Sequence, residues 1–247
     1  MQITLSNRLA ALVHDSVEVL ERVAREHGRV VYANSLGVES VVLTDLIWTH
    51  EPSIGIFTID TGRLHEETRE LLERLERRYQ RRMEVFHPDG AALDRWIREN
   101  GINAFYESEG LRRSCCEMRK LEPFSRAIAG ADAWITGVRR EQSAERAQGE
   151  VIEWDERYAL WQVRPLLEWR EQDVWDYVHA RRLPYNSLHD KGYPSIGCAP
   201  CTRAVAAGED PRAGRWWWEN AESRECGLQP RRQPIPIVVE QPRRAGC

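Results

Sequence analysis

Four of the six cysteines fall in two close pairs, Cys115-Cys116 and Cys198-Ala-Pro-Cys201, and a fifth, Cys226, stands alone in Glu-Cys-Gly-Leu. Four thiolates drawn from two distant segments can close a metal or iron–sulfur site, whereas a lone thiol beside a glycine suits a nucleophile. Cys198 and Cys201 have chelate spacing, and Pro200 stiffens the turn between them. Cys115 and Cys116 are adjacent, a poor arrangement for tetrahedral zinc, whose ligands come at gaps of about two to four residues. A cubane spreads its corners over different irons and accommodates neighbouring ligands better. Spacing alone therefore favours a cluster and leaves zinc open. Six cysteines in 247 residues are too few for a disulfide scaffold, so clustered thiols point to metal or redox chemistry in a reducing compartment. Cys247, at the end of the chain, is given no role.

The bulk properties narrow the class. Hydrophobic content of 42% and charged content of 30% are those of an ordinary globular protein with one good core. No apolar run is long enough to span a bilayer, and the N-terminus lacks a signal-peptide pattern, which places the protein in the cytoplasm with no membrane partner. A net charge of −4 gives no case for a nucleic-acid partner. The sequence leaves self-association into a homo-oligomer open. Lys120 and Lys191 are the chain's lysines among many arginines, so Lys120, four residues past Cys116, marks a place for a compact ammonium.

The elements that must position these groups follow from periodicity. Residues 7–27 carry an amphipathic helical pattern, Val30–Asn34 reads as a buried strand, and a helix then runs to about Trp48. A strand at 54–59, a charged helix at 66–79, and strands at 83–86 and 133–137 continue the alternation, which predicts βαβ units and a parallel sheet. Residues 151–154 and 159–163 alternate like a hairpin, and 170–182 reads as a helix. Ser35-x-Gly37-x-x-Ser40 and Asp60-Thr61-Gly62 each follow a strand, so both loops emerge at the carboxyl edge of the sheet, where ligands bind. Glycine at 37 lets backbone amides approach an anion, although a plain serine-capped turn reads the same way. Arg139, Arg140, Arg146, Arg212 and Arg215, with Lys120, are candidate anion-binding cations. Residues 230–247 hold four prolines and four arginines without helical period and read as a mobile tail.

Together these motifs carry a resemblance. Ser35-Leu-Gly-Val-Glu-Ser40, Ile59-Asp-Thr-Gly-Arg63, Gly137-Val-Arg-Arg-Glu-Gln-Ser143 and Cys115-Cys-Glu-Met-Arg-Lys120 are similar to the signature loops of the sulfonucleotide reductases. The match continues through residues 184–203, through Gly208 to Glu219, and through Glu225-Cys-Gly-Leu228. It is nearest to the assimilatory adenylyl-sulfate (APS) reductases of iron–sulfur type. Leu36 and Glu39 depart from the Ser-Gly-Gly-x-Asp-Ser loop of the ATP pyrophosphatases, which argues against ATP hydrolysis and against a tRNA-thiolating enzyme.

The resemblance implies an α/β fold: a parallel twisted sheet flanked by helices, of adenine nucleotide α-hydrolase-like or ATP-pyrophosphatase-like type. Residues 1–203 would bind sulfonucleotide and cluster, and 204–247 would form a mobile C-terminal segment. It implies one [4Fe–4S] cluster on Cys115, Cys116, Cys198 and Cys201, with Lys120 between cluster and substrate. APS would be held by Ser35, Gly37, Ser40, Asp60, Thr61, Gly62 and the arginines. Cys226 would attack its sulfur, and a separate thioredoxin or glutaredoxin would release sulfite. The alternatives are a reductase of the 3′-phosphorylated substrate (PAPS) or of both, and, from another class, a zinc-stabilised binding module. The family commonly continues Glu-Cys-Gly-Leu-His, whereas Gln229 stands here, which puts any role for a histidine beside Cys226 in doubt.

Overall fold

The structure is a computed structural model that describes residues 5–219, with the backbone alone for 144 and 145. Cys226, Cys247 and the expected tail lie outside the described residues. Helix α1 (Asn7–Glu26) is capped by Ser6, whose hydroxyl accepts from the Leu9 amide at 3.2 Å. Strand β1 (Val30–Asn34) leads into α2 (Val38–His50), β2 (Gly55–Ile59), α3 (Glu66–Tyr79), β3 (Glu84–Phe86) and α4 (Gly90–Asn100). Helices α5 (Glu109–Cys116) and α6 (Glu122–Ile128) are joined by a π-helical turn at Glu117–Leu121. Strand β4 (Ala133–Ile135), the short α7 (Ala144–Ala147), the hairpin β5 (Ile152–Asp155) and β6 (Leu160–Val163), and α8 (Glu171–Arg181) complete the order.

The six strands run β3-β2-β1-β4-β6-β5, all neighbours parallel except the β5–β6 hairpin at one edge. The expected parallel sheet is thus present, with an antiparallel edge strand added. The chain winds outward from β1 through β2 to β3 and returns to the other side of β1 as β4, so the order reverses between β1 and β4. Ligands bind beside such a reversal, at the carboxyl ends of the strands.

Alternation along β1 divides the core. Val30 and Tyr32 join α1, α2, α3 and α8 on one face, while Val31 joins Phe57, Trp134 and Phe124 on the other. Helix α2 is buried on nearly every side, from Val38 to Ile47, and so carries no amphipathic stripe. It includes Asp45, 1% exposed. That carboxylate accepts from Tyr177 at 2.6 Å, from Arg181 at 3.1 and 3.3 Å, and from Tyr79. Burial alone would raise its pKa, but the bonds from Arg181, Tyr177 and Tyr79 together hold it below the ordinary value. A depressed carboxylate stabilises the fold above its unfolded pKa and loses that contribution as pH falls through the folded one. Asp45→Asn is expected to cost about 2–3 kcal/mol at neutral pH, read by urea unfolding. Its deficit against wild type is expected to narrow below about pH 4.

Candidate active site at the carboxyl edge of the sheet

The loop after β1 is built on an unusual backbone. Leu36 has φ +57°, the left-handed region that costs a branched residue strain. Two bonds hold it there: the Leu36 amide donates to Asn34 Oδ1 at 2.8 Å, and Asn34 Nδ2 is fixed on Thr44 at 2.8 Å. The hydroxyls of Ser35 and Ser40 lie 2.9 Å apart, and Ser40 also accepts from the Ser35 amide at 3.2 Å. Gly37 is the N-cap of α2. The loop therefore carries a hydroxyl pair and a helix N-terminus at the sheet edge.

The loop after β2 forms a tight turn. Asp60 Oδ1 accepts from the Gly62 amide at 2.8 Å, and Gly62 has φ +71°, a conformation that favours glycine. Thr61 is buried and makes the critical connection, its hydroxyl lying 3.2 Å from Cys198 Sγ while its carbonyl accepts from Arg119 at 2.7 Å.

The cysteines converge from two directions. Cys115 and Cys116 end α5, and Cys198 and Cys201 bracket a 3-10 turn. All four are free thiols. They line one cavity of about 140 Å³ together with Ser35, Thr61, Lys120 and Arg215. Burial pushes the Cys201 thiol up, and the other three cysteines add to that effect. Cys115 is also raised by burial, an effect opposed by Arg119 and Arg63. Among the described residues no group of three or more histidine, cysteine or carboxylate side chains closes on a single-ion site.

The π turn explains how one helix offers so many groups to the cavity. The Glu122 amide reaches back to the Glu117 carbonyl, an i to i−5 bond that widens the turn. Arg119, Lys120 and Leu121 all line the cavity, whereas a regular helix would fan three consecutive side chains over about 200°. Such turns cluster at functional sites.

The structure brings Ser35, Thr61, Lys120, Arg215 and the four cysteines together. Gly37, Ser40, Asp60 and Gly62 support the two loops from behind. The arginines after β4 are engaged elsewhere. Arg139 is buried, with Nε 2.9 Å from Glu39 and Nη1 2.8 Å from Glu141. Arg140 binds Glu168 at 2.7 Å and the carbonyls of Ala147 and Gly149, and Arg146 donates to Gln142 at 2.6 Å. Arg212 lies in the turn held by its amide on Asp210 at 2.7 Å, outside the cavity wall. His189, half-buried with its pKa lowered by desolvation, also lies outside it.

Sequence reasoning missed Arg63, Arg112 and Arg119, which line the cavity. Two signals were available. Arg63 and Arg119 stand inside the Asp-Thr-Gly-Arg and Cys-Cys-Glu-Met-Arg-Lys motifs, and Arg112 precedes Cys115 by one helical turn.

Comparison with known proteins agrees with this geometry. The family model described as "Phosphoadenosine phosphosulfate reductase domain" matches residues 29–204. A protein of Allochromatium vinosum named adenosine 5′-phosphosulfate reductase is 50% identical, the match covering 98% of this chain and 95% of that one. Its namesake in Burkholderia cepacia is 48% identical, over 96% and 95% of the two chains. Among solved structures, a phosphoadenylyl-sulfate reductase of Candida auris in a phosphate complex superposes with a TM-score of 0.66 at 25% identity, covering 83% of this chain and all of that one. A Candida glabrata FMN adenylyltransferase, at 15% identity and a TM-score of 0.58 over 97% of this chain and 84% of that one, shares the fold. By the extent of the family match and the identity of these relatives, the chain belongs to the phosphoadenosine phosphosulfate reductase domain family.

Proposed function

We propose that the protein reduces APS to sulfite and AMP in sulfate assimilation. One observation carries this reading beyond the family: two cysteine pairs from distant segments share a single cavity with Ser35, Thr61, Lys120, Arg119 and Arg215, at the carboxyl edge of the sheet. An anion placed there meets a hydroxyl, a lysine and arginines at once, which suits a phosphosulfate.

The four thiols fit a [4Fe–4S] cluster as its resident cofactor. The donor set is all sulfur, the thiols are unbridged, and Cys201 feels the other three electrostatically. Burial raises the pKa of Cys115 and Cys201, and a bound metal centre would supply the positive charge that keeps the thiols as thiolates. Cys115, Cys116, Cys198 and Cys201 would hold the cluster, which would contribute electrostatics to the site. The Thr61 hydroxyl, 3.2 Å from Cys198 Sγ, would then connect that centre to the substrate loop.

Ser35, Thr61 and Lys120, with the loop residues Gly37, Ser40, Asp60 and Gly62 behind them, would orient the phosphosulfate. Arg139 and Arg140 would join only if they exchanged their present carboxylate partners for the ligand, and Arg146 only if it left Gln142. The Cys226 thiolate, carried by the segment from 204 onward, forms a bond to the sulfur of APS. The sulfur–oxygen bond to the nucleotide breaks, and AMP leaves with its electron pair. The resulting S-sulfocysteine is cleaved by a dithiol protein, thioredoxin or glutaredoxin, which becomes a disulfide as sulfite departs. No helix of the described residues is long and apolar enough to cross a membrane, and free clustered thiols suit the cytoplasm.

The test is anaerobic purification followed by single-turnover incubation with APS or PAPS, read by intact mass. Absorbance at about 400 nm and a gain of one SO3 group with APS are expected, with little or none from PAPS. A colourless protein would remove the cluster from this reading, and equal labelling by both nucleotides would make the enzyme a dual reductase.

A further inference from the structure

Chain beyond the cysteine loop is tied to the cavity rim at several points. The Trp216 amide donates to the Cys201 carbonyl at 3.1 Å, Thr202 and Arg215 form a bridge, and the Arg203 amide donates to the Gly214 carbonyl at 3.0 Å. Gly214 passes so close that a Cβ there would stand 2.2 Å from the Arg203 carbonyl oxygen. Trp216 has φ +43°, a strained conformation that persists where the surroundings dictate it. The Arg112 and Arg215 guanidinium carbons lie 4.7 and 4.8 Å from its ring centroid.

The last of these attachments is an ion pair. Arg112 Nε and Nη2 donate to the two oxygens of Glu219 at 2.9 and 2.7 Å, with side chains 3% and 7% exposed. Withdrawing two charges from water costs more than their attraction reliably returns, so such a pair argues for geometric specification more than for stability. The fork-to-carboxylate geometry fixes direction as well as distance. Arg112 itself lines the cavity, together with Cys116.

We propose that the Arg112–Glu219 ion pair, the last anchor among the described residues, is a positioning pair that sets the approach of the Cys226 thiol to the cavity. This rests on the reading of Cys226 as nucleophile. Residues 220–225 separate the anchor from the thiol, a tether that reaches at most about 25 Å. Because Arg112 stands on the cavity wall, that tether starts beside the place where the thiol must arrive. Releasing Glu219 moves the last anchor among the described residues back to Trp218, whose ring lies 4.5 Å from that of Tyr106 and 6.2 Å from that of Phe105. Added slack of that size dilutes the thiol by less than about twofold, whereas loss of the set direction costs far more, since small misplacements at a reacting centre are amplified.

Wild type, Glu219→Ala, Glu219→Gln and the charge-swapped Arg112→Glu/Glu219→Arg protein are compared in single turnover with APS, following the SO3 adduct on Cys226 by intact mass. AMP affinity is measured by calorimetry, and hydrogen exchange is read at residues 216–219. Glu219→Ala is expected to slow adduct formation by about tenfold or more with AMP affinity unchanged, to speed exchange at 216–219, and to be rescued at least in part by the swap. A change within about twofold, the amount slack alone gives, overturns the proposal, as does a parallel loss of AMP affinity. If Glu219→Ala does not fold, Glu219→Gln decides, because it keeps the side-chain volume and one acceptor. If wild type takes no SO3 on Cys226, the nucleophile reading fails, and the anchor is judged by exchange: equal protection in wild type and variant refutes it.

Discussion

Cys226→Ser is expected to abolish sulfite production, with a loss of at least about a thousandfold, while AMP still binds. The substitution removes one soft nucleophile and nothing else the cavity uses. Ser35, Thr61, Lys120 and Arg215 stay where they are, so the nucleotide keeps its contacts and only the bond-forming group changes. A serine hydroxyl at neutral pH is neither ionised nor soft. The measurement is intact mass after incubation with APS, paired with calorimetric titration of AMP. An SO3 adduct on the serine variant would show that another group receives the sulfur. A variant that had lost AMP binding would show that Cys226 contributes to the ground-state site instead.

Much of this architecture is legible in the residues because local and global preferences agree. Val30–Asn34 and Glu66–Tyr79 match their expected bounds: one is a short apolar run between turns, the other a charged helix with its apolar stripe intact. The hairpin of β5 and β6 shows in the alternation of 151–154 and 159–163. The stretch from 90 to 128 did not read, and the reason is physical. Its helices are short, a π turn breaks their period, and their buried face carries Arg112 and Arg119, which pattern reading assigns to solvent. The arginines after β4 illustrate the converse. Their type and place in a motif suggest anion binding, and in this structure Glu39, Glu141 and Glu168 hold Arg139 and Arg140. Spacing shows which residues share a loop, but not which carboxylate the fold will bring to it.

Lys120→Ala is expected to lower kcat/KM by about a hundredfold or more with the fold retained. Lys120 lies on the π turn, four residues past Cys116, and lines the same cavity as the four thiols, Ser35 and Thr61. In transfer of a sulfuryl group, charge accumulates on the departing phosphate, and a preorganised cation there is worth about two to three orders of magnitude. Arg119 cannot replace it, because its guanidinium is buried against the Thr61 carbonyl at 2.7 Å. Lys120→Arg is expected to restore only part of the rate, since a planar fork needs more room than an ammonium. Absorbance near about 400 nm separates two ways the variant can fail. Slow turnover with the absorbance kept places Lys120 on the substrate, whereas loss of both makes it a support of the cysteine centre. Wild-type turnover in Lys120→Ala would refute the role given to this lysine and move the stabilising charge to Arg63 or Arg215, which also line the cavity.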